Sequence, residues 1–302
     1  MIRNRTHRTM LLSAGLVLAL LALGAGGTMY AQYRKERAEP AGTEPKGEIF
    51  TQPHASQNRP PKGETRPQPQ TSARLLIDEQ FDGTSLDPDR WEAMTLPRAY
   101  RNDEEQSYDP SQVSVADGML RITATRTGPS QWRSGEVHSK WAYTYGDFEV
   151  RMRISAGGQG VWPAAWLMGT TGEWPVNGEI DIMENINGSP TVHGTIHGGG
   201  SAGHWQLQHS AAPIDVTAFH TYKISKRPGA ISWWVDGIKR GEWTQSQTPA
   251  GGTWPFESHN NFALLNLAIG GNWPGASTDQ TPDTIVMYVD AFTVSSDRPD
   301  GG

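Results

Sequence analysis

Three carboxylates fall within six residues in Gly178-Glu179-Ile180-Asp181-Ile182-Met183-Glu184, a stretch otherwise built from strand-forming apolar side chains. Side chains alternate between the two faces of a β-strand, so Glu179 and Asp181 share a face while Glu184, five positions past Glu179, points away. A β-bulge at Ile182-Met183 sets two residues opposite one on the neighbouring strand and returns Glu184 to the face of the other two. The glutamates then stand as if about four positions, or roughly 13 Å of backbone, apart. Side chains that lean together from that spacing bring their carboxyl groups about 5 Å apart, where one can attack a glycosidic carbon while the other donates and recovers a proton. Two blander chemistries suit the same residues: a solvated surface strand, and a calcium site, because clustered carboxylates also suit that ion.

The residues around the acids narrow the choice. Gly160-Val161-Trp162-Pro163-Ala164-Ala165-Trp166 and Trp174-Pro175 come just before them, and His193-Gly194-Thr195-Ile196-His197 and Gly270-Gly271-Asn272-Trp273-Pro274-Gly275 come after. A pyranose has apolar C–H faces to stack and hydroxyls to satisfy, and aromatic rings beside a few polar groups serve both. Any one tryptophan more often fills a sandwich core, so it is their crowding beside three carboxylates that points to a sugar. His193 and His197 are spaced as a metal pair only on a helix, and this segment reads as a strand, which argues against zinc.

Strands must position these groups. Phe148, Val150, Met152 and Ile154 alternate with Glu149, Arg151, Arg153 and Ser155, the period of a half-buried strand. Residues 231–235 and 238–243 flank Asp236-Gly237, a hairpin signal. Residues 120–124, 262–269 and 285–294 are further strands, and no segment carries a capped helical period. Many short strands without repeats in residues 74–302 predict one all-β domain, a sandwich or jelly roll of two antiparallel sheets.

Composition sets outer bounds. The 302 residues hold 34 glycines, 21 prolines, 12 tryptophans and no cysteine, which favours turn-rich β structure and removes disulfides, thiol nucleophiles and thiolate metal sites. A net charge of −6 argues against nucleic acid, whose binders carry a basic footprint, and fits a neutral substrate. Arg3, Arg5 and Arg8 precede an apolar run over 10–25, so residues 1–37 read as a signal peptide or, uncleaved, as an N-terminal membrane anchor. Either places the domain outside the cell, secreted or tethered to the outer face of the membrane. Residues 38–73 hold seven prolines among polar residues and read as a disordered linker able to span up to about 100 Å. No subunit interface is marked, and a monomer is expected.

The chain resembles the family 16 glycoside hydrolases, and among them the bacterial laminarinases, which are endo-β-1,3-glucanases. The resemblance is carried in order by Asn102-Asp103-Glu104-Glu105-Gln106-Ser107-Tyr108, Tyr145-Gly146-Asp147-Phe148-Glu149, Trp162-Pro163, Gly178 to Glu184, Phe219-His220-Thr221-Tyr222, Trp234-Val235-Asp236-Gly237, Asn266 to Gly275 and Val289-Asp290. It implies a jelly-roll sandwich with a concave sugar-binding cleft. It makes Glu179 the nucleophile, Glu184 the general acid/base and Asp181 the residue between them, with no cofactor for catalysis. By the same resemblance Trp162 and Trp174 stack sugars on the non-reducing side, Asn102 bonds a hydroxyl, and His197 lies beside the acid/base pair. A structural calcium is implied, with Asp290 as its side-chain ligand. Laminarinases usually carry arginine where this chain has Glu136 and often a second asparagine where Asp103 stands. The departures are expected to alter which sugar or linkage the negative subsites prefer. Retaining hydrolysis of β-1,3-glucan, and of mixed β-1,3-1,4-glucan, is the reading that follows. The alternatives are a galactan substrate, transfer to a sugar acceptor, or a glucan-binding lectin on the same sandwich.

Overall fold

The structure, a computed structural model, describes residues 74–257 and 259–296. The expectations for residues 1–37 and 38–73 lie outside those residues. Among the described residues the chain forms strands and three short 3-10 turns. The strands are β1 (Arg74–Glu79), β2 (Trp91–Ala93), β3 (Gln106–Tyr108), β4 (Val113–Ala116), β5 (Met119–Gly128), β6 (Gln131–Ser134), β7 (Glu136–Ser139) and β8 (Gly146–Ile154). They continue with β9 (Val161–Gly169), β10 (Glu179–Glu184), β11 (Val192–Gly198), β12 (Trp205–Ala211), β13 (His220–Arg227), β14 (Ala230–Val235), β15 (Ile238–Thr244), β16 (Asn261–Ile269) and β17 (Thr284–Ser296).

Two sheets result. The larger runs β15-β14-β13-β8-β17-β5-β6-β3, with β1 on β17 and β4 on β5; the smaller runs β12-β11-β10-β9-β16-β7-β2. This is the predicted sandwich, and its described pairings are antiparallel except for β3 with β6. The alternation read in 148–155 is observed, since Phe148, Val150, Met152 and Ile154 of β8 are buried while the residues between them are half-buried. Asp236 (φ 50°) and Gly237 (φ 73°) turn β14 into β15 with the positive φ that a tight hairpin needs.

The inward faces of the sheets meet in one apolar core that joins Ile180, Ile182 and Met183 of β10 to Trp233 of β14 and to Phe148 and Phe292. Full burial of one such aliphatic or aromatic side chain stabilises by about 1.5–3 kcal/mol. The tryptophans divide between two tasks. Trp91, Trp233 and Trp243 are fully buried, whereas Trp162, Trp166, Trp174 and Trp273 line a cleft of about 810 Å³ on the other face of the smaller sheet. In β9 the core residues Val161, Ala165 and Leu167 alternate with the cleft residues Trp162, Ala164, Trp166 and Met168.

Candidate active site

Strand β10 carries the expected bulge. Against β9, Asp181 pairs with Trp166 and Met183 with Ala165, leaving Ile182 as the extra residue; against β11 the register also breaks between Asp181 and Glu184. Ile182 and Met183 both enter the core, so the face flips once and Glu184 joins Glu179 and Asp181 in the cleft lining. The core holds this distortion in place, because Trp233 Nε1 donates to the Ile182 carbonyl at 2.8 Å. Gly178 leads into β10 at φ 78°, and a Cβ there would stand 2.7 Å from Pro255 Cγ, so neither the turn nor the space accepts a side chain.

Each carboxylate has its own partners. Trp174 Nε1 donates to Glu179 Oε2 at 2.6 Å, and Trp162 Nε1 donates to Glu184 Oε1 at 3.0 Å. His197, opposite Glu179 on β11, sets Nε2 3.1 Å from Asp181 Oδ2 and Nδ1 2.9 Å from His204 Nε2. Donor atoms of Glu179, Asp181 and His197 lie within 4.8 Å of one another. Glu179 and Asp181 are also hydrogen-bonded to each other.

Burial is the main influence on their protons. It pushes Glu179 up to about 8, with the charge of Asp181 adding to it while His197 and the Trp174 N–H oppose it. Burial likewise raises Asp181 to about 7, opposed by its hydrogen bond with Glu179. Glu184 is held well above the usual carboxylate range by burial first and then by Asp181 and Glu179. Three acids this close, two of them buried and Glu179 half-buried, do not all ionise together, and at neutral pH the cluster keeps protons. A protonated carboxyl and an ionised one side by side supply a proton donor and a nucleophile at the same time.

The sequence-derived roles meet this geometry unevenly. Trp162 and Trp174 bond different carboxylates and pack on different neighbours, Trp162 on Trp273 (5.6 Å) and Trp174 on His204 (4.7 Å), so they flank the acids. His197 is attached to Asp181, between the two glutamates. Asn102 lines the cleft, exposed, with Nδ2 3.2 Å from Glu104 Oε1. Asp103 is exposed and is not part of the lining. Glu136, the departure expected to alter the negative subsites, does not itself line the cleft. Its side chain is fully buried and ion-paired with Arg101, and it is Arg101 that lines the cleft.

Asp290 lies away from the cleft on the larger sheet, and its Oδ2 accepts from Arg151 Nη1 at 2.8 Å. Calcium takes six to eight oxygen donors, and the guanidinium supplies the positive charge at this carboxylate. Asp290 by itself therefore does not make up a calcium site. Residues the motifs did not single out complete the cleft, among them Arg101, His204, Gln206 and Gln208. Gln206 and Gln208 stand opposite His197 and Thr195 on β12, a placement visible only once the β11–β12 pairing is known.

A two-sheet sandwich whose open face carries clustered, partly protonated carboxylates between tryptophans is the arrangement of a saccharide-cleaving hydrolase. Comparison with known proteins agrees. Residues 101–290 match the model of the glycosyl hydrolases family 16. A glucan endo-1,3-beta-glucosidase A1 of Niallia circulans is 30% identical over 263 residues, 74% of this chain and 38% of that protein. A beta-glucanase of Rhodothermus marinus is 32% identical over 67% of this chain and 77% of its own length. The laminarinase catalytic domain of Thermotoga maritima superimposes with a TM-score of 0.68 at 27% identity, covering 76% of this chain and all of that domain. The chain belongs to glycosyl hydrolase family 16 and is a glycoside hydrolase.

Proposed function

We propose that the protein hydrolyses β-1,3-glucan internally and with retention, by double displacement on Glu179 and Glu184, and that it also accepts mixed β-1,3-1,4-glucan. The observation that carries this reading is the β10 bulge, which puts both glutamates on the cleft face with a separate tryptophan N–H on each. The names of the relatives point to the same polymers, including the endo-1,3-1,4-beta-glycanase EglC of Rhizobium meliloti, 32% identical over 72% of this chain.

In the first step Glu179, in the protonation state of the cluster where it is ionised and Glu184 holds a proton, attacks the anomeric carbon while Glu184 gives that proton to the departing glycosidic oxygen. Asp181 tunes both neighbours, and His197 fixes its orientation. Once Glu179 is an ester its charge is gone, so repulsion on Glu184 falls and its carboxyl ionises more readily. Glu184 then takes a proton from water, the hydroxyl adds to the anomeric carbon, and Glu179 leaves as carboxylate. Trp162 and Trp174 stack the sugar units beside the reacting bond, and Asn102 bonds a hydroxyl. Export, with residues 1–37 as signal or anchor and residues 38–73 as spacer, and a monomeric enzyme complete the reading.

The test is release of reducing sugar by the full chain from laminarin, barley mixed-linkage glucan, agarose and xylan, with the products separated by chromatography. Short gluco-oligosaccharides from laminarin are expected. Cleavage of agarose alone would move the substrate to a galactan, elongated products would mean transfer, and binding without cleavage would leave a lectin.

A further inference from the structure

On the side of the cleft formed by β9, β16 and β7 lies an ion pair that the chemistry above does not use. Arg101 places its guanidinium 5.2 Å from the ring centre of Trp166 and 5.9 Å from that of Tyr108, and it donates through Nη2 to Glu136 Oε2. The other oxygen of Glu136 lies 2.7 Å from His138 Nε2. The two partners differ in access, because the Glu136 side chain is 0% exposed and that of Arg101 is 26% exposed. A saccharide in the cleft meets the guanidinium and cannot reach the carboxylate.

Register places the pair on the path of the polymer. Glu184 pairs with Ala164, Ala164 with Asn266, and Asn266 with Glu136, so one row crosses the strands from the acid to the base of Arg101. A polymer extending across the strands from Glu184 toward β7 passes over that row.

The electrostatics define what Arg101 can hold. Burial works against its charge, but Glu136, then Tyr108 and Glu104, outweigh this and keep it protonated. Burial also opposes the charge on Glu136, and Arg101 with His138 overcomes it, holding that carboxyl below its ordinary value. One guanidinium beside the anionic Glu136 and the buried Glu104 leaves no net positive field for an anionic sugar. With one N–H committed to Glu136, it still offers up to four others in a rigid fork.

We propose that Arg101 is a substrate-binding residue for an uncharged hexose unit beyond the reacting one, and that Glu136 is the positioning residue that holds it and cancels its charge. The cleft thereby selects neutral glucan over polymers bearing carboxylate or sulfate. This rests on the glucan reading above.

The test compares the full-length protein with R101K, E136Q and the swap R101E/E136R. Each is assayed on laminarin and on carboxymethylated laminarin of equal length, alongside retardation in laminarin-containing gels and thermal melting. R101K keeps a cation beside Glu136 but loses the fork, so the KM for laminarin rises about ten-fold with kcat within about two-fold. E136Q leaves the guanidinium uncompensated and raises kcat/KM on the carboxymethylated polymer relative to laminarin several-fold. The swap recovers the melting temperature but keeps the raised KM. Wild-type KM and retardation in R101K, an unchanged polymer preference in E136Q, or a swap that restores KM together with stability would each overturn the proposal. If the wild type neither cleaves nor is retarded by laminarin, the glucan reading fails first. The same ratios measured on whichever polymer it does cleave then decide the role of Arg101.

Discussion

Replacing Glu179 by glutamine should abolish turnover and stabilise the fold, and the stabilisation should depend on pH in a set direction. The carboxyl titrates near 8 in the folded protein against an ordinary 4.5. The folded state therefore holds this proton where the unfolded chain has released it. The contribution of Glu179 to stability is whole below about pH 4.5 and is lost as pH rises through about 8. Each tenfold change in proton affinity is worth ~1.4 kcal/mol, and water at the half-open cleft and proton sharing with Asp181 reduce the full shift to roughly 2 kcal/mol at pH 8. Glutamine keeps an acceptor for Trp174 and gains a donor toward Asp181, so no hydrogen bond need be lost. For a domain of this size, ~2–4 °C of melting temperature per kcal/mol gives a rise of about 4–8 °C at pH 8 and almost none at pH 4.5. Scanning calorimetry of both proteins in matched buffers at the two pH values measures it, with activity on laminarin expected to fall about a thousand-fold or more. A melting difference that is the same at both pH values, or a less stable variant at pH 8, would refute the argument that these acids are buried at a cost.

Three further outcomes follow from the same geometry. Glu184→Gln should lose about 10²–10⁴-fold in kcat on polymer but far less on an aryl glucoside whose leaving group departs without a proton, a contrast that steady-state assays read directly. His197→Asn removes the group that holds down the proton affinity of Glu179, so the acid limb of kcat/KM against pH should move to higher pH; profiles that superimpose would remove His197 from the proton network. Trp233→Phe keeps most of the core volume but leaves the Ile182 carbonyl unpaired, which should cost about 1–3 kcal/mol in denaturant melts and lower kcat by loosening the bulge.

The sequence by itself determined the strands that alternate, the Asp236-Gly237 hairpin, the sandwich and the acids of β10, bulge included. All of these rest on local rules: period-two alternation, turn chemistry, and the parity of five positions between Glu179 and Glu184. Tertiary structure alone decided the partners. Trp162 stands 22 residues from Glu184 and Trp174 five from Glu179, and nothing in their spacing says that each serves a different carboxylate. Arg101 and Glu136 meet across 35 residues, so a carboxylate that reads as a cleft group from its motif is instead sealed beneath an arginine from another loop. The raised proton affinities were likewise out of reach of the sequence, because burial is their largest cause, and burial exists only once β9, β11 and the aromatic residues of the cleft stand around β10.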